Sequence, residues 1–240
     1  MRFSVSARSD TGRKRTANED FYALEEKLAL FVVADGLGGH AAGRRAAELG
    51  VAVFVESVGI DPAGPAPEVL REAFARANAV IFELAQADAE LRGMGTTLAA
   101  LWLRGDEAVV SHAGDSRLYL HRDGRLHALT SDHSLVGERV ARGELSAAQA
   151  RVHPNRHVVT RAVGVVPWVE PDISALRARS GDLFVICSDG ISSQIDDAEL
   201  ARALETRSAD LDGAAAALVE LANERGGDDN ATVVLVRVEG

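Results

Sequence analysis

Apolar and polar residues change their period several times along this chain, and each change marks an element. Phe3, Val5 and Ala7 alternate with polar neighbours, the two-residue repeat of a half-buried strand. The turn-rich stretch SDTGRKRTANED leads to FYALEE and KLALFVVAD, which read as two more strands. From Ala42 to Val58 the period lengthens. Ala46, Leu49 and Val53, flanked by Val51, Phe54 and Val58, form a broad helical face. GIDPAGPAP carries three of the six prolines and must be a loop. Leu70, Ala73, Phe74, Ala77, Val80, Ile81 and Leu84 then define a longer helix, and the two helices suit packing as a pair against a sheet.

After Gly93 the pattern is extended again. TTLAALWLR, EAVVSHAG, SRLYLHR and RLHALT are separated by RGD, GD and DG, which fit hairpin turns. Residues 133–156 are polar and short in period, as in a surface excursion of short helices. HVVTRAV, VEPDISALRA and DLFVICSD read as strands, followed by a helix from near Asp196 and another from about Ala209 to Asn223. ATVVLVRVE closes the chain as a strand. Neither an internal repeat nor a linker divides residues 1–240. Closely spaced antiparallel strands with helices outside them predict one α+β layered domain and not a doubly wound parallel sheet.

Composition narrows the picture. The chain has 240 residues, 47% of them hydrophobic, enough for a sizeable core. Its formal charge of -10 argues against general nucleic-acid binding. The single cysteine, Cys187, excludes an intrachain disulfide and a four-cysteine zinc site. The N-terminal residues lack the apolar segment of a signal peptide, and the apolar runs are strand-sized. These features lead us to expect a cytoplasmic protein without membrane insertion, acting as a monomer.

Candidate chemistry gathers at strand ends. Asp35 ends an apolar run before the glycine-rich turn GLGGH. Asp115, Asp189 and the trio Asp228, Asp229 and Asn230 each flank another such run. Four separate turns would explain them. If the runs lie side by side, the carboxylates converge and repel one another, and a hard divalent cation relieves that cost through oxygen ligands. Other chemistries fail on detail. The turn after Asp35 has no Walker lysine and lacks the dinucleotide glycine spacing. Cys187 is followed by SDGISS, without the arginine a thiolate phosphatase loop needs, and Ser116 and Ser188 lack a nucleophile elbow. Arg15, four residues before Glu19, suits a forked grip on phosphate oxygens, or is an ordinary solvated arginine. His40 suits an acid, a ligand or a polar turn residue; His112, within a strand segment, reads as structural.

RTANED, VADGLGGH, GMGTT, AGDSRLY, LTSDHS, CSDGI and GGDDNATVVLV occur in this order along practically the whole chain. Their order and spacing resemble the bacterial branch of the PPM/PP2C metal-dependent protein phosphatases. The resemblance implies a central antiparallel β-sandwich flanked by helix pairs, with a flap at 133–156. It implies that Asp35 bridges two Mn2+ or Mg2+ ions, with the Gly36 carbonyl on one of them. Asp189 and Asp229 complete the ligands of the first ion, and Glu19, with Asp20 beside it, serves the second. Asp115 and Asp189 together would hold a weaker third ion, and Arg15 the substrate phosphate. Asn230 would orient Asp229, while Thr96 and Thr97 support the site. One departure is visible: Leu37 stands where eukaryotic-type relatives carry a histidine after the glycine. The proton for the leaving oxygen then comes from the displaced His40 or from a metal-bound water.

The activity so implied is hydrolysis of phosphoserine and phosphothreonine in proteins by water activated between two metal ions. The expected partners are phosphoproteins made by a bacterial Ser/Thr kinase. A phosphatase of the same fold with a narrow regulatory partner is a second reading, and a non-catalytic phosphoprotein-binding module a third. A complete acidic cage argues against the third, since a binding surface alone has no use for it.

Overall fold

In the computed structural model, residues 2–206 and 210–240 are described, apart from the His40 side chain. The strands form two antiparallel sheets. One has the order β1 (Arg2–Asp10), β11 (Ala231–Glu239), β10 (Leu183–Cys187), β7 (Arg117–Arg122), β8 (Arg125–Ala128). The other has the order β2 (Asp20–Glu25), β3 (Leu30–Leu37), β5 (Leu98–Arg104), β6 (Glu107–Ala113), β9 (Asp172–Arg177), with the short β4 (Gly95–Thr96) paired to the end of β3.

The alternation of side chains along each strand builds the layers. On β3, Phe31 and Val33 point into the sandwich and meet Leu101, Leu118, Phe184 and Val234. Leu30, Val32 and Ala34 point the other way, beneath Phe54 of α1 (His40–Ile60) and Phe74 of α2 (Ala66–Ala87). β10 repeats the scheme: Phe184 and Ile186 face the sandwich, while Val185 and Cys187 pack with Leu204 of α6 (Asp197–Thr206) and Leu218 of α7 (Leu211–Glu224). Each fully buried side chain of this size contributes about 1.5–3 kcal/mol. A strand buried on both faces has to be apolar throughout, which is why FVVA and FVIC are unbroken runs. The result is an α+β four-layer αββα architecture: the pattern predicts the layered α+β class, and the resemblance implies the sandwich with its helix pairs. Among the described residues no helix is long and apolar enough to cross a membrane.

The excursion holds two short helices, α3 (Leu135–Ala141) and α4 (Ala147–Arg151). Ser134 caps the first and a Ser146–Gln149 capping box opens the second. A four-residue helix, α5 (Asp189–Ser192), follows β10 directly. Two expectations need correcting or limiting. HVVTRAV is not a strand, since Val159 makes one isolated bridge to Ser134 and Val163 another to Thr96. The segment spans from the excursion to β4, so its ends meet different elements and no continuous strand edge is offered to it. The expected start of the last helix at Ala209 lies outside the described residues.

Candidate active site

Asp35, on β3, has Asp20 of β2 as its cross-strand partner. The Gly36 N–H donates to the Glu19 carbonyl at 3.2 Å. Helix α1 crowds this corner. A Cβ on Gly36 would lie 2.2 Å from the Gly43 carbonyl oxygen, and one on Gly43 would lie 2.1 Å from Glu19 Oε2. Only glycine at both places lets the helix close over Glu19. Asp189 stands at the β10–α5 junction, and Asp229 just before β11.

The supports are dense. The Asp35 N–H donates to Thr97 Oγ1 at 2.9 Å, and its carbonyl accepts from the Thr97 N–H at 2.8 Å and the Thr96 hydroxyl at 2.9 Å. Thr97 Oγ1 also lies 2.7 Å from Ser116 Oγ, which ties Asp35 to the Asp115 loop. Asn230 accepts from the Glu19 N–H at 2.8 Å and donates to the carbonyls of Thr11 and Ala17, so the RTANED loop is fastened beside Asp229. Ser188, which sequence reasoning considered only as a nucleophile, donates to Asp20 Oδ2 at 2.7 Å. No signal in the sequence marks that role. Cys187 is fully buried, and burial pushes its thiol up to about 12, so it is inert.

Electrostatically the corner is unbalanced. Burial raises Asp35 well above its ordinary value, and the charges of Asp20, Asp189, Asp115 and Asp229 add to the effect. Burial, then Asp189 and Asp132, raise Asp115 well above its own. Burial and Asp229 raise Asp189, against a hydrogen bond with Asp35. Asp20 is pushed up to about 7, chiefly by burial, despite bonds from Thr232 and Ser188. Asp20 Oδ1 and Asp189 Oδ1 are buried without a hydrogen-bond partner among the described residues. Crowded carboxylates with orphaned oxygens, all hard donors, suit a hard divalent cation.

Arg15, Glu19, Asp35, Gly36, Asp115, Asp189 and Asp229 line one cleft of about 800 Å³. Arg15 reaches Asp229 Oδ2 at 2.7 Å, so in this state its partner is that carboxylate. Asp20 is not part of the cleft lining; it is buried beneath it. His40 opens α1, and its side chain is outside the described residues.

A second group, His112, His133 and Asp172, brings three ligand atoms within 4.8 Å of one another, a donor set able to coordinate a metal ion. Two of its four ring nitrogens are already hydrogen-bonded, however, and His133 Nε2 has only its contact with Asp172. The imidazoles stack at 4.4 Å, His112 Nε2 lies 2.9 Å from the Ser131 carbonyl, and His133 Nδ1 accepts from the Gly114 N–H at 3.2 Å. Asp172 is forked between His133 Nε2 at 3.2 Å and Arg161 at 2.6 Å. Burial lowers both histidines, which keeps them neutral near pH 7. In this arrangement the pair braces the start of the excursion against β6 and β9.

Residues 11–223 match the protein phosphatase 2C family. Protein phosphatase PhpP of Streptococcus pneumoniae is 37% identical over 239 residues, covering 97% of this chain and 96% of that one. The crystal structure of the Mycobacterium tuberculosis serine/threonine phosphatase PstP/Ppp superposes with a TM-score of 0.92 at 36% identity, covering 99% of both chains. A PstP catalytic domain in complex with two manganese ions superposes with a TM-score of 0.90 at 35% identity, again over 99% of both chains.

Proposed function

The chain belongs to the bacterial branch of the PPM/PP2C serine/threonine protein phosphatases, and from that premise we propose how its own residues carry the reaction. It is an enzyme that hydrolyses phosphoserine and phosphothreonine by a metal-activated mechanism. In our reading Asp35, Asp189 and Asp229 hold two divalent ions, Mn2+ or Mg2+, with the Gly36 carbonyl and Glu19 beside them. Asp115 and Asp189 hold a weaker third. Asp20 adds its negative charge from beneath. The observation that carries this assignment is the set of buried, mutually repelling carboxylates with orphaned oxygens at Asp20 and Asp189. Ions bound there supply Lewis acidity and a water acidic enough to attack phosphorus near neutral pH.

The remaining steps belong to the protein. Arg15 exchanges Asp229 for the substrate phosphate and forks two of its non-bridging oxygens, holding phosphorus in line for attack. Its charge offsets what builds on those oxygens as the bond to the serine or threonine oxygen breaks. Thr97 keeps Asp35 in register, and Asn230 keeps Glu19 and Asp229 aimed at the cleft. The proton for the leaving oxygen would come from His40, at the end of the glycine-rich turn, or from a metal-bound water. The substrates are phosphoproteins generated by a bacterial Ser/Thr kinase, a reading supported by relatives named as serine/threonine phosphatases.

The test is hydrolysis of a phosphothreonine peptide before and after metal removal. Protein stripped with EDTA is expected to lose turnover and to regain it with Mn2+. Full activity after verified removal of all metal would sink the mechanism.

A further inference from the structure

Beside the cleft a second hollow, of about 550 Å³, runs beneath α3 and α4. One wall is aliphatic: Val136, Val140 and Ala141 from α3, Ala147 and Ala150 from α4. The centre of the floor is polar, and its groups are already matched. Arg117 forks Asp132 with two bonds of 2.7 Å and donates to the Tyr119 hydroxyl at 3.1 Å, which in turn donates to Asp197 at 3.2 Å. Of the lining side chains only Asp189, which belongs to the acidic corner, has a buried polar atom without a partner among the described residues. A polar ligand gains little from the matched Arg117 network, and the open side chains Arg156 and His157 stand at the border with the cleft, whereas an apolar ligand gains by displacing water from the aliphatic wall.

Position points to the occupant. Asp115, Arg151, Arg156, His157, Asp189 and Ser193 line both the hollow and the cleft, so the two spaces are continuous at the acidic corner. A peptide anchored there by its phosphate advances about 3.3 Å per residue when extended, which brings side chains two or three positions away within reach of the hollow. We propose that the hollow beneath α3 and α4 is a specificity subsite for an aliphatic side chain flanking the phosphorylated residue of a protein substrate. The proposal rests on the phosphatase reading and deepens it: phosphate and metals set the chemistry, and this wall selects among phosphoproteins. A small aryl phosphate does not reach it.

The experiment uses the full chain with saturating Mn2+ and phosphothreonine peptides carrying leucine or serine at each of three positions on either side. At one position leucine is expected to raise kcat/KM about tenfold over serine, the scale of burying part of such a side chain. Ala150→Phe, which fills the hollow, should reduce that preference to within about twofold while p-nitrophenyl phosphate turnover is unchanged. Should Ala150→Phe also slow p-nitrophenyl phosphate, Val140→Ala is read in its place. It enlarges the hollow without crowding the cleft, and its expected result is a shift of preference from leucine toward phenylalanine. Equal rates for leucine and serine at every position, or a leucine preference that survives both variants, overturns the subsite. Absence of p-nitrophenyl phosphate turnover by the Mn2+-loaded wild-type protein would instead count against the phosphatase reading itself.

Discussion

Around Arg117 the fold buries charges in matched pairs, whereas around Asp35 it buries carboxylates against carboxylates. Burial works against the Arg117 charge, but Asp132 outweighs it and keeps the guanidinium above its ordinary value. At Asp35 burial and four neighbouring carboxylates act in the same direction. The two clusters meet along the lining of the hollow, where Asp115 and Asp189 stand beside Arg117 and Asp132. A matched pair recovers through hydrogen bonds most of what desolvation costs; crowded carboxylates recover only part of it until a cation arrives. The difference separates groups that hold the fold from groups that wait for a ligand.

The largest expected effect breaks the unbalanced cluster. Asp35→Asn should lower phosphopeptide turnover at least about a hundredfold at saturating Mn2+, because it weakens the proposed metal bridge. The same change should leave the melting temperature of metal-free protein unchanged or higher, since a neutral amide removes repulsion. Kinetics and scanning calorimetry on one preparation check both halves. A clear drop in melting temperature would mean that Asp35 is balanced in the fold, as Asp132 is.

Arg117→Met should do the opposite. Leaving Asp132 without its partner is expected to cost about 3 kcal/mol, a fall of roughly 10 °C in melting temperature. Turnover of p-nitrophenyl phosphate by the folded fraction should change little. Added Mn2+ should not restore the wild-type melting temperature.

Arg15 stands between the two cases, as a cation borrowed by Asp229. Arg15→Ala should reduce phosphopeptide kcat/KM about thirtyfold, the equivalent of about 2 kcal/mol of charge-assisted bonding. Mn2+ affinity should stay close to wild type, and Arg15→Lys should recover only part of the loss. Calorimetric Mn2+ titration of the alanine variant checks this; loss of a tight site would make Arg15 a structural partner of Asp229.

Much of this contrast was legible before any coordinates. Asp35, Asp115, Asp189 and Asp229 each flank a β-branched run, and strands that pair in sheets bring such ends together. The helices were legible too, because their three-and-four spacing has no competing reading. What the sequence could not reveal depends on contacts between distant segments. Asp20 and Glu19 are neighbours, yet the first lies beneath the cleft and the second lines it. The Ser188–Asp20 bond joins residues 168 positions apart, and no local pattern encodes it. HVVTRAV has the composition of a strand but lacks a partner edge, and strand propensity expresses itself only where such an edge exists. The hollow beneath α3 and α4 is likewise assembled from several separate segments.

The smallest expected effect is a pH slope. Asp20, Asp35, Asp115 and Asp189 titrate above their ordinary value in the folded chain. Carboxylates raised in this way favour the fold fully below their unfolded pKa and lose that contribution as pH climbs through the folded one. His112 and His133 are shifted down, so their contribution still grows just above about pH 6.5 and opposes the slope only over the first part of the interval. Metal-free protein should therefore melt about 3–5 °C lower at pH 8 than at pH 6.5. Excess Mn2+ should flatten the difference, and Asp35→Asn should reduce it. A melting temperature that rises over this interval in metal-free protein would contradict the sign.

The most direct test of the acidic corner as a cation site is calorimetric titration of Mn2+ into metal-stripped protein near pH 7.5, repeated in buffers of different ionisation enthalpy. Cations that displace protons from raised carboxylates must release them to the buffer. Wild-type protein is expected to bind two ions tightly with measurable proton release, and the double variant Asp35→Asn/Asp189→Asn to bind neither tightly. Undiminished tight binding by the double variant would place the metal elsewhere and contradict the account.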